Sequence, residues 1–255
     1  MSIELFYPNW KKKALTFSYD DAQVYDRKLV EIFNKYNMKA TFHLNSGMLD
    51  CDGFITSAEI PELYKGHEVA CHGVMHEYPG HLALGTLHDE YYEDRKFLEG
   101  CLDGIVQGCS YAFGEYNDTV VNMLKMLGFS YCRTVNSTNM FGVPDDFMRW
   151  KPTCHHNDAM KLVDQFLNTP EYMRLPMFYI WGHSFEFARE DSWEYMDTLC
   201  QKLHGQEDVW YTTNIDYVKY VNAMRGLVFS TDQKKVENPS KTKVYLEIDG
   251  ERVVI

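Results

Sequence analysis

Short β-rich apolar runs alternate along this chain with longer segments of helical periodicity, the pattern of repeated βα units around a parallel sheet. Strands are expected at 14–18, 40–44, 68–71, 110–113, 131–135, 177–181 and 209–213, with helices between them at 22–36, 57–65, 86–107, 117–127, 158–168, 191–203 and 215–224. Thr56 with Glu59 matches a capping box, and Asn117 and Gly128 mark a helix start and stop. Right-handed crossovers joining such units give an α/β fold, a distorted (β/α) barrel of about seven parallel strands. Reacting groups in that architecture stand at the C-terminal ends of the strands. After Gly226 the pattern turns to short β runs, closing on a hairpin with Asp249-Gly250 at its turn. Residues 1–225 are therefore expected as the barrel domain and 226–255 as a C-terminal β extension that packs against it or against a partner.

A chain of 255 residues with 45% hydrophobic content can bury a single large core. Its formal charge of −12 argues against a nucleic-acid partner, because that affinity comes mainly from Lys and Arg on phosphates. No stretch approaches the ~18–20 consecutive apolar residues of a membrane span. Lys11, Lys12 and Lys13 follow the apolar start rather than precede it, unlike a secretory signal, so the chain as written is expected to be cytoplasmic. A removed leader would make it secreted or periplasmic. The seven cysteines form no C-x-x-C pair and their number is odd, which fits reduced, mostly buried thiols. Nothing in the sequence marks an oligomeric state.

Two clusters carry chemistry. The first strand ends in Asp20-Asp21, where one carboxylate can bind a metal while the other faces a substrate; the bland alternative is that either caps the following helix. The third strand runs into His72-Gly73-Val74-Met75-His76, and two imidazoles four residues apart on a helical turn face the same side. With ten histidines in the chain, such a spacing alone is often accidental. Both clusters nonetheless follow strands of one expected sheet, and two His with one carboxylate is the ligand set of an open, catalytic metal site.

Thr16-Phe17-Ser18-Tyr19-Asp20-Asp21-Ala22 and His72-Gly73-Val74-Met75-His76 together resemble the first two motifs of the polysaccharide deacetylase family, the NodB-homology domain. Ser110-Tyr111-Ala112-Phe113-Gly114-Glu115-Tyr116 resembles a variant of its third motif, and Ile180-Trp181-Gly182-His183 its last. The resemblance spans about 13–224 and implies a metal-dependent hydrolase removing N- or O-acetyl groups from a carbohydrate. It implies Asp20 as general base, Asp21, His72 and His76 as ligands of one divalent ion, His183 as general acid, and the backbone N–H of Phe113 as oxyanion donor. Zinc is the expected ion, with cobalt or nickel equally suited to the ligand set.

The third motif departs from the family pattern. Ser110 stands where an Arg usually orients the catalytic Asp, and Ala112-Phe113 replaces Pro-Tyr. Arg149 could supply the missing cation from another strand, or be a surface residue. Tyr19, Tyr111, Arg149 and Trp181 are the candidate substrate contacts. Cys154-His155-His156 reads as a loop rim near the site, and His43 as a core or pocket-wall residue. Two rival functions share the same residues: an amidohydrolase acting on a small non-sugar amide, and a catalytically impaired carbohydrate-binding homologue, the latter suggested by the missing Arg.

Overall fold

Apolar runs rich in β-branched and aromatic residues become strands near the expected positions in the computed structural model, which describes residues 2–255. In chain order the elements are β1 (Ile3–Phe6), β2 (Lys13–Asp20), α1 (Asp26–Lys35), β3 (Ala40–Leu44), α2 (Ile60–Leu63), β4 (Glu68–Cys71), α3 (Leu84–Cys101), β5 (Gly108–Ser110), α4 (Asp118–Met126), β6 (Tyr131–Arg133), β7 (Cys154–His155), α5 (His156–Leu167), β8 (Met177–His183), α6 (Ser184–Arg189), α7 (Trp193–Leu203), β9 (Val209–Tyr211), α8 (Asn214–Arg225), β10 (Val228–Phe229), β11 (Val236–Glu237), β12 (Tyr245–Ile248) and β13 (Glu251–Val254).

The main sheet runs β6-β5-β4-β3-β2-β8-β7, with every pairing parallel. β9 pairs with Lys13–Leu15, the start of β2 that β3 leaves uncovered. Arg133 of β6 bridges in parallel to Trp150 on the segment leading into β7, and the curved sheet with its helices gives the expected distorted barrel. Alternation along β2 sorts its side chains: Thr16, Ser18 and Asp20 join polar partners inside, while Phe17 packs on Phe33 of α1 at a ring separation of 4.7 Å. Burying each such ring stabilises the fold by roughly 1.5–3 kcal/mol.

Several boundaries differ from expectation for identifiable reasons. Asp21 and Ala22 take φ of 84° and 56°, so the chain bends sharply after β2 and α1 begins only at Asp26, with neither acid capping it. Phe113 has φ 57°, which ends β5 at Ser110 and puts 112–114 in a 3₁₀ turn. Residues 184–189 form the short helix α6, and the expected rim at 154–156 contributes strand β7 and the start of α5.

The C-terminal hairpin forms across Asp249 and Gly250, whose φ values of 48° and 86° fit a type I′ turn. Its partner is the chain's own start, because β1 pairs antiparallel with β12 from Ile3↔Ile248 to Phe6↔Tyr245. Val244 and Leu246 are buried, Val244 in a second core with Tyr7, Tyr220 and Val221. All seven cysteines are free thiols, five of them buried. Among the described residues no helix is long and apolar enough to cross a membrane.

Candidate active site

Parallel pairing places the expected reacting groups side by side. Asp20 is in register with His43 on one side and His183 on the other, and Ser110 is in register with Arg133. His72 directly follows β4, so six neighbouring strand ends converge on one face.

Asp20 is 3% exposed and surrounded by donors. Arg133 pairs with its Oδ2, Ser110 Oγ donates to Oδ1 at 3.2 Å, and His43 Nδ1 lies 3.3 Å from Oδ1. Burial alone would raise its pKa, but Arg133, His72 and His43 outweigh burial and hold the carboxyl well below its usual range. Arg133 Nε also donates to Ser18 Oγ at 3.1 Å, and its guanidinium lies 4.5 Å over the Trp181 ring.

Asp21, His72 and His76 offer one ligand atom each, all within 4.8 Å of one another. Asp21 Oδ1 lies 3.6 Å from His72 Nε2 and 3.8 Å from His76 Nε2. Ligands about 2.1 Å from one tetrahedral ion stand about 3.4 Å apart, so a single divalent ion fits this set. His72 Nδ1 faces the Ser110 carbonyl at 3.0 Å and its Oγ at 2.7 Å; donating there leaves Nε2 with the free lone pair. Burial pulls the His72 pKa down to about 3, keeping the ring neutral as a ligand must be. The histidines do not share a helical turn. Residues 72–76 form a loop with positive φ at Gly73 (86°) and His76 (55°), and the loop brings the imidazoles to ring centroids 4.7 Å apart.

His183, at the end of β8, has Nδ1 3.4 Å from Glu186 Oε1. Burial would lower its pKa, but Glu186, Asp20 and Asp21 outweigh burial and raise it. Glu186 Oε2 also lies 3.0 Å from His155 Nε2 and 3.2 Å from His156 Nε2. His155, His183 and Glu186 form a second converging trio. Asn157 N–H donates to His155 Nδ1, however, which leaves the His155 proton on Nε2 facing the carboxylate. Glu186 is thus a hub for imidazole protons rather than a member of a second ligand set.

The remaining expected residues divide. Trp181 lines the site beside Arg133, His155 and His183. Phe113 is 50% exposed; its ring contacts His76 at 4.4 Å edge-on and stacks on Tyr78 at 3.8 Å. Tyr19 does not reach the site: strand alternation turns it outward, where it is buried against His156 and Met196. Tyr111 is buried too, its hydroxyl donating to the Met148 carbonyl at 2.7 Å. Arg149 pairs with Asp146 and Asp118 at the surface and makes no contact with Asp20. The cation missing from the third motif comes from Arg133, one strand further along. Sequence reasoning passed over Arg133, although it is the one charge in the strand Tyr131–Arg133 and shares interior parity with Tyr131.

No curated protein matches the sequence. Among solved structures, a Mycobacterium smegmatis protein named for the polysaccharide deacetylases superposes at TM-score 0.60 and 18% identity, over 88% of this chain and 95% of its own. BA3943, a CE4 family pseudoenzyme from Bacillus anthracis, matches at TM-score 0.53 and 17% identity, over 84% and 68%. The chain spans about half the length of Streptococcus pyogenes deacetylase PplD, 55% of it at 22% identity, with 47% of this chain covered and TM-score 0.46. The first two of these likenesses establish the fold. Residues 8–132, just under half of the chain, match the profile described as polysaccharide deacetylase, and over that segment, which contains Asp20, Asp21, His72, His76 and Phe113, the chain is similar to the polysaccharide deacetylase family.

Proposed function

We propose that this chain is a metal-dependent hydrolase that removes acetyl groups from a carbohydrate. The observation that carries the reading is the convergence of Asp21, His72 and His76 beside an ionised, fully paired Asp20. A fold shared with a pseudoenzyme does not decide turnover, so the argument rests on these residues. Arg133 on Asp20 also removes the reason for favouring a non-catalytic homologue.

When bound, a divalent ion such as zinc supplies Lewis-acid polarisation of the acetyl carbonyl and acidifies a water from about 15.7 toward about 7. Asp20, held as a carboxylate by Arg133, accepts the proton of the attacking water. The Phe113 backbone N–H stabilises the developing oxyanion, a contribution of about 3–4 kcal/mol for such a donor. His183, whose Nδ1 lies beside Glu186, donates a proton to the departing amine or alcohol. The half-exposed ring of Phe113 flanks this centre and offers an apolar face to a sugar ring, while Trp181 lies largely buried beneath Arg133.

The test is acetate release from a chitooligosaccharide and an acetylated xylan, with elemental analysis of the protein and of His72→Ala. One equivalent of metal in wild type, lost in the variant, is expected together with acetate release that chelator and Asp20→Asn both abolish. Activity that survives both treatments overturns the reading. Acetate released only from small non-sugar amides would favour the amidohydrolase instead.

A further inference from the structure

The loop carrying His72 and His76 lies against α3, and two side chains of that helix, one turn apart, accept from the backbone N–H groups of residues 72, 73, 75 and 77, the first shared with the Leu44 carbonyl. Asp94 Oδ2 accepts from the backbone N–H groups of His72 and Gly73, both at 3.1 Å, while its Oδ1 accepts from Ser46 N–H at 2.8 Å. Glu90 Oε1 accepts from Met75 N–H at 2.9 Å and Glu77 N–H at 3.4 Å, and the Glu90 main-chain carbonyl takes Val74 N–H at 3.0 Å. The loop carbonyls are clamped from the other side. Asn45 Nδ2 donates to those of His72 and Gly73 at 2.8 and 3.0 Å, and Gly47 N–H donates to that of Val74 at 2.9 Å.

We propose that Glu90 and Asp94 are positioning residues for the metal ligands, fixing the His72–His76 loop in the conformation in which both imidazoles meet Asp21. This rests on the metal reading of that site. Both carboxylates are buried, Glu90 at 7% exposure and Asp94 at 0%, and neither forms an ion pair among the described residues. A buried carboxylate without a cation is costly unless hydrogen bonds satisfy it, and the bonds to Glu90 and to Asp94 Oδ2 come from the loop itself, with Ser46 N–H completing Asp94. The loop in turn needs an external clamp, because it lacks the helical bonds that would otherwise set two histidines four residues apart. His76 adopts φ 55°, a conformation a non-glycine residue keeps only when its surroundings impose it. Contact is close enough that a Cβ on Gly73 would lie 2.6 Å from Glu90 Oε1.

Zinc affinity measured by chelator competition, with the visible spectrum of the cobalt-loaded protein beside it, tests the proposal. Glu90→Leu keeps most of the volume and removes the acceptor; it is expected to weaken zinc about 10- to 100-fold and to alter the cobalt spectrum while the metal-free protein stays folded. Glu90→Gln, which keeps an accepting oxygen, is expected to restore most of the affinity, and Glu93→Gln, on the exposed face of the same helix, to leave it unchanged. A folded Glu90→Leu that binds zinc like wild type overturns the proposal, as does Glu90→Gln losing as much as Glu90→Leu. If Glu90→Leu does not fold, Asp94→Asn replaces it, turning one accepting oxygen into a donor against amide hydrogens, with the same weakening expected and unchanged affinity overturning the idea. A wild-type protein that takes up no zinc would fail the metal reading first, and this inference with it.

Discussion

Arg133 is the residue on which the base depends most directly. It is fully buried and its partner Asp20 nearly so, and removing one member of such a pair leaves an uncompensated charge. Arg133→Met is expected to lower unfolding free energy by about 3–5 kcal/mol in urea titrations. It should also reduce kcat about 10- to 100-fold at unchanged metal content. Arg133→Lys should recover little, because Arg133 also reaches Ser18 and lies over Trp181, which a point charge cannot reproduce. In the proposed role of His183 as general acid the group needed is the imidazolium, which is lost as pH rises through its raised pKa. Glu186→Gln removes the main support for that charge, so the alkaline limb of the kcat/KM profile is expected to move to lower pH; a limb that stays in place would count against His183 as the acid. Asp20, Asp21, His72 and His76 were legible because they lie next to strand ends in the sequence. Arg133 was not, because its partner is 113 residues away and only the sheet order joins them. Tyr19 was misread although the parity of Ser18 and Asp20 already turns it outward.

At the scale of elements, β8 and α5 meet so closely at Gly182 that a Cβ there would fall 2.0 Å from His156 Nδ1. Gly182→Ala must therefore displace the His156 ring, whose Nε2 lies 3.2 Å from Glu186 Oε2, and disturb the hub beside His183. A stability loss of about 1–3 kcal/mol and a lower kcat are expected, read by thermal unfolding and acetate release. The order and type of most elements followed from apolar periodicity, since β3 and β4 are long enough to show it. What was missed is either very short or set by a single dihedral. β7 has two residues and gains its partner only from β8, while the early end of β5 reflects the left-handed Phe113. The His72–His76 spacing suggested a helix turn, but α3 supplies from outside the bonds that a helix would have made within.

Across the whole molecule, buried acids make stability depend on pH. Asp26, at the start of α1, is buried with Tyr64 donating to Oδ2 at 2.7 Å, and burial pushes its pKa up to about 7. An acid raised in this way contributes stability that is complete below its unfolded pKa of about 3.9 and is lost as pH rises through about 7. Asp26→Asn should therefore lose less stability than wild type between pH 4 and pH 8, measured by urea unfolding at both ends; parallel losses would contradict the raised pKa. The same global view bears on how the chain is made. β1 closes onto β12 with Ile3 opposite Ile248, and Ser2 and Asp249 exchange hydrogen bonds. At about 5–20 residues per second, a ribosome needs roughly 12–50 s to reach that partner. β1 is synthesised before every strand of the barrel yet is among the last to pair, so a nascent chain can assemble the barrel around Asp20 well before β1 and β12 join.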